Sequence, residues 1–242
     1  MAKLDGKVAL VTGSGRGIGK AVALLLAQEG ARVVITARTR SEIEAVAKEI
    51  REQGGDALPV TGDVTGEAFV EGLFVRIKEW AGSLDIVVNN AGIGKFGSIT
   101  ELPVAEYRRC LDVNIIGPFL CMQQAIKAMK ETDTAGKIVN IGSVRSHWTE
   151  SGDAGAYNAS KYGLRGMVES VARELHAEGN RISVGMVCPG VVNTTLTNPA
   201  GEPRPNWLTP ETVAEAVLHA VTAPSNINVY DTTLFPTEQT PW

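Results

Sequence analysis

The sequence predicts an α/β fold: one domain on a doubly wound parallel sheet of about seven strands, with helices on both faces. Three observations carry this expectation. Short apolar runs alternate with amphipathic stretches along the whole chain. The runs are continuously apolar rather than apolar at every second position, as strands buried on both faces are. The first run ends in a cluster of glycines that opens into a helical pattern, a strand–turn–helix unit at the start of the chain.

The elements follow in order. Residues 8–12 (VALVT) read as the first buried strand, and residues 17–29, apolar at helical spacing, as the first helix. Strand 32–37 and helix 40–53 repeat the pair, and Gly54-Gly55 stops that helix. Strand 57–61, helix 66–81 and strand 85–89 come next. The long amphipathic stretch 104–130 leads to strand 137–142, and a second, 155–178, leads to strand 181–188. Helix 210–223 and strand 228–235 close the pattern. No linker, low-complexity run or repeat interrupts it, so 1–242 reads as a single domain. The longest stretch without periodicity, 193–208, is rich in Pro, Asn and Thr; a loop of that length in a compact domain is often functional.

Composition narrows the function. The 27 acidic and 23 basic residues give a net charge of −4. They are mixed along the chain with no basic patch, so no nucleic-acid partner is expected. No apolar run approaches the roughly 18 residues of a membrane span. The first strand begins too close to Met1 for a signal peptide. A cytoplasmic protein without a membrane partner is the expectation. Cys110, Cys121 and Cys188 are isolated, and His147, His176 and His219 form no HxxxH pattern, so neither disulfides nor a metal site is expected.

The glycine cluster comprises Gly13, Gly15, Gly17 and Gly19. Glycine permits positive φ and has no Cβ, so the turn can be tight and a ligand can approach its backbone. The following helix aims free N–H groups and the positive end of its dipole at the turn, where a pyrophosphate fits. Taken alone, Gly15-Arg16-Gly17-Ile18-Gly19-Lys20 does not complete GxGxxG, and an ordinary glycine-rich turn would look similar. The second strand ends Thr36-Ala37-Arg38, at the place where a dinucleotide fold meets the adenosine ribose. Ala37 offers no carboxylate to the ribose hydroxyls, and Arg38 is either a phosphate ligand or a solvated helix-start residue. Asp63-Val64 follows the third strand, where Asp commonly caps a turn. Asn89-Asn90-Ala91-Gly92 ends the fourth strand and reads as a turn. Asn114 lies inside the apolar helical run CLDVNIIGPFL, although Asn forms helix poorly. It is either satisfied by buried neighbours or holds a water.

The strongest chemical signal is Ser143 at the end of the fifth strand with Tyr157 and Lys161 further on. Tyr and Lys at i and i+4 share one helix face. A phenol, with an ordinary pKa near 10, is a poor acid or base at neutral pH, but an ammonium a few ångströms away favours the phenolate. Tyr157 can then give a proton to a carbonyl oxygen or take one from a hydroxyl, while Ser143 holds the same oxygen. Tyr–Lys pairs are also common on solvated faces, and Tyr162 lies beside this one.

Thr12–Gly19 reads TGxxxGIG; with NNAG, a mid-helix Asn, a strand-end Ser and YxxxK in this order, the chain resembles the short-chain dehydrogenase/reductase family over essentially its whole length. The resemblance implies a single-domain Rossmann fold and hydride transfer between nicotinamide C4 and a carbonyl or alcohol carbon. It makes Asn114, Ser143, Tyr157 and Lys161 the catalytic residues, with a water on Asn114 relaying protons through Lys161 to Tyr157. The cofactor would lie against Gly13, Ser14, Arg16, Gly17, Ile18 and Gly19, then Arg38. Asp63 would meet the adenine amino group, with Val64 beside it, and Asn90, Ala91 and Gly92 would line the cofactor. Lys161 would hold the nicotinamide ribose next to Tyr157. After the sixth strand, Pro189, Gly190, Val192 and Thr194 would fold against the nicotinamide, and 193–208 would be a lid over the substrate.

Arg16 and Arg38 on the adenosine side point to NADP(H), since two guanidiniums suit a 2′-phosphate. The implied activity is NADPH-dependent reduction of a ketone or other carbonyl to a secondary alcohol. Many 3-oxoacyl-carrier-protein reductases end in a glycine-rich segment with VDGG, but this chain ends NVYDTTLFPTEQTPW, similar instead to carbonyl and hydroxy-acid reductases. An NAD-dependent alcohol or sugar dehydrogenase and a non-enzymatic NADP-binding regulator are the alternatives. The family usually pairs its long helices, here 104–130 and 155–178, so a homotetramer or dimer is expected.

Overall fold

A computed structural model of the chain describes residues 2–149, 152–202 and 204–239. Seven strands form one parallel sheet: β1 (Val8–Thr12), β2 (Arg32–Ala37), β3 (Ala57–Thr61), β4 (Ile86–Asn89), β5 (Lys137–Ile141), β6 (Ser183–Pro189) and β7 (Asp231–Leu234). Their order is β3-β2-β1-β4-β5-β6-β7. The chain therefore winds outward from β1 to β3, then crosses back to β4 on the other side of β1. Val11 pairs with Ile35 of β2 and with Val88 of β4, so these strand ends lie level. Reversal of winding between β1 and β4 opens a crevice at their carboxyl ends, where such sheets bind ligands.

Strand residues alternate between two cores, as period-2 side chains must. Ala9, Val11, Val33 and Ile35 pack beneath α1 (Gly17–Gln28), α2 (Arg40–Glu52) and α7 (Pro210–Thr222). Val8, Leu10, Val34 and Val87 pack beneath α3 (Glu67–Ala81), α5 (Gly117–Glu131) and α6 (Gly155–Ala177). Gly54 adopts φ +87° just after α2, the left-handed conformation in which glycine stops helices. No helix among the described residues is long and apolar enough to cross a membrane.

The stretch expected as one helix over 104–130 is interrupted. It divides into α4 (Val104–Leu111), a π turn (Asp112–Ile116) and α5. Pro118 supplies the reason. It has no N–H for the Asn114 carbonyl four residues back, and its ring crowds that carbonyl. Widening relieves the conflict: Gly117 N–H reaches back five residues to the Asp112 carbonyl. The last strand is also shorter than the expected 228–235, since its residues are polar and half-buried at a sheet edge. Asn228 still joins the sheet through its side chain, which donates to the Val184 carbonyl (3.0 Å). The segment 193–208, whose residue 203 lies outside the described residues, is closed at its base: Asn193 N–H donates to the Leu208 carbonyl (2.8 Å) and Leu208 N–H to that of Val191 (3.1 Å). Of the tail, 240–242 lie outside the described residues.

Candidate active site

A cleft of about 590 Å³ opens over the β1–β4 switch point. Gly13, Arg16, Gly17, Ile18, Arg38, Asp63, Val64, Asn90, Ala91 and Gly92 line one end and its floor. Ser143, Tyr157, Lys161, Pro189, Gly190, Val192 and Thr194 line the other. Of the residues assigned from sequence, Ser14, Gly19 and Asn114 do not line it; they stand behind its wall.

The glycine turn is built by close approach. Gly13 and Gly17 have φ of +63° and +55°, which favour glycine. A Cβ on Gly13 would fall 2.8 Å from Ala91 Cα, and one on Gly19 only 2.3 Å from Asn90 Nδ2 and 2.4 Å from the Gly13 carbonyl oxygen. Gly19 thus acts through packing, letting α1 rest on the turn. Asn90 ties the two central strands together, its Nδ2 donating to the carbonyls of Thr12 (2.9 Å) and Gly13 (3.1 Å). The N–H groups of Asn90 and Ala91 both donate to Thr12 Oγ1 at 3.0 Å. Ser14 turns inward, its hydroxyl donating to the Thr36 carbonyl (3.4 Å). No side chain among the described residues caps α1, so its first-turn N–H groups are open to an anion in the cleft. Gly19→Ala is expected to destabilise the fold by about 1–3 kcal/mol, as overpacking does, and to weaken nucleotide binding; thermal unfolding indistinguishable from the parent would contradict this packing role.

At the glycine-turn end, Arg38 is exposed just beyond Ala37. Glu42, which the sequence reading misses, joins it on the cleft wall. Its carboxylate meets Arg16, Nη1 to Oε1 3.3 Å, and lies so close to Gly15 that a Cβ there would sit 2.8 Å from Oε2. In the sequence Glu42 is only an acid in a helix first turn, where it suits the dipole. Arg40 faces solvent and pairs with Glu44 (2.6 Å). Asp63 does cap its turn, Oδ1 accepting from Thr65 N–H (3.0 Å) and Thr65 Oγ1 (2.9 Å). Burial pushes this carboxyl up, but the Thr65 donors and the nearby Arg38 and Arg109 outweigh it and hold it below the usual range.

At the other end, Tyr157 and Lys161 stand one turn apart on α6. Lys161 is buried; its Nζ donates to the Ile141 carbonyl (2.8 Å) and lies 5.6 Å from the Tyr157 ring centroid. Phe96 stacks obliquely on that ring at 5.8 Å. Ser143 caps a 3₁₀ turn (Val144–Ser146) by accepting from Arg145 N–H (3.2 Å), leaving its hydroxyl proton free to donate. Tyr162 is set apart from this group: its hydroxyl donates to the His147 carbonyl (2.6 Å).

The Asn114 side chain is held by neighbours. Its Oδ1 accepts from Ile93 N–H (2.9 Å), and Nδ2 donates to the Ile93 carbonyl and to Ser160 Oγ, both at 2.9 Å. Both amide protons are used, so the side chain is satisfied by buried neighbours. Pro118, with no N–H, cannot give the Asn114 carbonyl its α-helical donor. Gly92 lies between the Asn114 side chain and the lysine: a Cβ there would lie 3.4 Å from Asn114 Oδ1 and 4.0 Å from Lys161 Nζ.

The three cysteines are free and buried. Burial pushes the Cys121 and Cys188 thiols up to about 12. No metal site is expected from the sequence, yet the fold brings His147, Cys188 and Asp231 together.

Comparison with known proteins agrees with this fold. The short chain dehydrogenase family matches residues 7–205. An uncharacterized oxidoreductase of Staphylococcus aureus (strain MW2) is 35% identical over 239 residues, covering 98% of this chain and 100% of its own. A metagenomic short-chain oxidoreductase, solved in complex with NADP, superposes with a TM-score of 0.84 at 32% identity, over 98% of this chain and 100% of its own. An alcohol dehydrogenase from the archaeon Thermococcus sibiricus, complexed with 5-hydroxy-NADP, gives 0.89 at 29% identity, over 98% and 99%.

Proposed function

The chain belongs to the short-chain dehydrogenase family, and from that premise we propose that it is an NADPH-dependent oxidoreductase that reversibly reduces a ketone or other carbonyl to a secondary alcohol. One observation carries the reading: Ser143, Tyr157 and Lys161 converge at one end of a cleft whose other end offers a glycine cradle, an uncapped helix and two arginines. The cradle, lined by Gly13 and Gly17 at positive φ, fits a dinucleotide. The nicotinamide supplies or accepts the hydride; the protein handles the proton. Tyr157 donates to the carbonyl oxygen as charge develops, and Ser143 hydrogen-bonds the same oxygen. Lys161 favours the phenolate left on Tyr157. A water held by Asn114 returns the proton through Lys161. Phe96 and Leu196, both about half exposed, flank the approach to Tyr157. The loop 193–208 acts as the lid. The expected homo-oligomer would cover Ile116, Phe119 and Tyr162, apolar side chains exposed on the helical face. Loss of NADPH absorbance against a panel of ketones tests the activity, and no turnover with any carbonyl would refute it.

Cofactor choice makes a separate prediction. Arg16 and Arg38 favour a 2′-phosphate, and even about 1.5 kcal/mol from one arginine is roughly tenfold in affinity. The two solved relatives described above bind NADP or a derivative of it. Glu42 favours the alternative of an NAD-dependent dehydrogenase, because a carboxylate beside the ribose repels a phosphate and accepts from hydroxyls. The wild type is expected to prefer NADPH in kcat/KM, and Ala37→Asp/Arg38→Ile to lose or reverse that preference. Glu42→Gln should sharpen the preference about two- to fivefold, the scale of exposed ion pairs. Equal use of NADH by the wild type would return both arginines to solvent-facing roles.

A further inference from the structure

Behind the Ser143 turn, three residues from distant parts of the chain meet: His147 after the 3₁₀ turn, Cys188 in β6 and Asp231 in β7. Each brings one donor atom, and these atoms all lie within 4.8 Å of one another. His147 Nε2 is buried and has no hydrogen-bond partner among the described residues, although Asp231 Oδ2 is only 3.2 Å away. Nearness without hydrogen-bond alignment is the relation of two ligands of one ion. With Zn–N and Zn–O distances of about 2.0–2.2 Å and tetrahedral angles, the two donor atoms lie roughly 3.3–3.5 Å apart, each lone pair aimed at the metal.

The surroundings suit ligation. A Cβ on Gly142 would fall 2.6 Å from the Cys188 sulfur and 3.1 Å from Ser146 Oγ, so the sulfur sits directly against the Ser143 turn. Thr233 Oγ1 donates to Asp231 Oδ1 (3.3 Å), and Tyr162 pins the His147 backbone. Such outer contacts orient metal ligands. Imidazole nitrogen, thiolate and carboxylate together match zinc better than the hard, all-oxygen cations.

We propose that His147, Cys188 and Asp231 form a binding site for a thiophilic divalent cation, with Zn²⁺ the best fit and water in the fourth place. On binding, the Cys188 S–H bond is replaced by an S–Zn bond and the proton leaves to solvent. The carboxylate and thiolate then balance the two positive charges, and the imidazole binds neutral. From separations of at most 4.8 Å, the sulfur closes by no more than about 1 Å to reach tetrahedral separations. Cys188 immediately precedes Pro189 and Gly190 of the cleft wall, so the ion borders the reaction site without entering it.

Binding is read directly, independently of turnover. The full chain is titrated with Zn²⁺ by calorimetry in thiol-free buffer, and with Co²⁺ by absorption, following the thiolate-to-cobalt charge-transfer band in the near ultraviolet. One ion per chain and a clear charge-transfer band are expected. His147→Ala and Cys188→Ala should each lose binding or weaken it by about tenfold or more. His176→Gln, at an exposed histidine, should bind as the parent does. Asp231→Asn keeps the size of the side chain and should also weaken binding, so the proposal remains testable if Cys188→Ala does not fold. No ion bound by the parent, a bound Co²⁺ without the thiolate band, or unchanged affinity in His147→Ala would each overturn it.

Discussion

Tyr157→Phe is expected to lower turnover by about 10²-fold or more, the usual size of a general acid–base contribution, while nucleotide affinity stays near that of the parent. The substitution keeps the ring, so the stack with Phe96 at 5.8 Å survives. It also keeps the backbone of α6, so Lys161 remains on the Ile141 carbonyl. The hydroxyl is the only group lost. Ser143 cannot replace it: an aliphatic hydroxyl can hold the carbonyl oxygen but is far too weak an acid to protonate it. Single-turnover reduction with NADPH at saturation, beside calorimetric titration of NADPH, separates the two effects. Turnover within a few-fold of the parent would remove Tyr157 from the chemistry. Loss of nucleotide binding in proportion to turnover would instead make it a cofactor-positioning residue.

The sheet was legible in the sequence because its strands are buried on both faces. VALVT and RVVITA carry apolar cores, Val8–Val11 and Val33–Ile35, and β1 and β2 extend those cores by no more than two residues at either end. β7 was legible only as a region, since an edge strand of DTTL carries little burial signal. The site was legible where its residues lie at fixed short spacings along one element, as Tyr157 and Lys161 do on α6. It was illegible where packing decides. Asn114 looked like a lone polar group inside a helix; the loop that follows β4 wraps back so that Ile93 and Ser160 satisfy it. Pro118, four residues later, was the one local clue to the π turn. Glu42 reaches Arg16 only because α2 folds against a glycine with no Cβ. His147, Cys188 and Asp231 meet only after β6 and β7 pair.

Lys161→Met should also collapse turnover by at least about 10²-fold, and here the KM for NADPH should rise with it, since in the proposed mechanism the lysine holds both the phenolate and the ribose. Its burial makes the charge effective, because less water screens it from Tyr157. Removing Nζ also leaves the Ile141 carbonyl without its 2.8 Å donor, a cost of about 1–3 kcal/mol in stability. Thermal unfolding must therefore be followed beside kinetics, at a temperature where the variant is fully folded. The informative comparison is the double variant Tyr157→Phe/Lys161→Met. If the ammonium acts on the reacting proton through the phenol, Tyr157→Phe already removes most of what Lys161 contributes to the chemical step. The double variant should then be little slower than either single one, as in catalytic groups that work as a unit. Fully multiplicative losses in turnover at saturating NADPH would show that Lys161 acts independently of Tyr157, leaving it a ribose ligand alone.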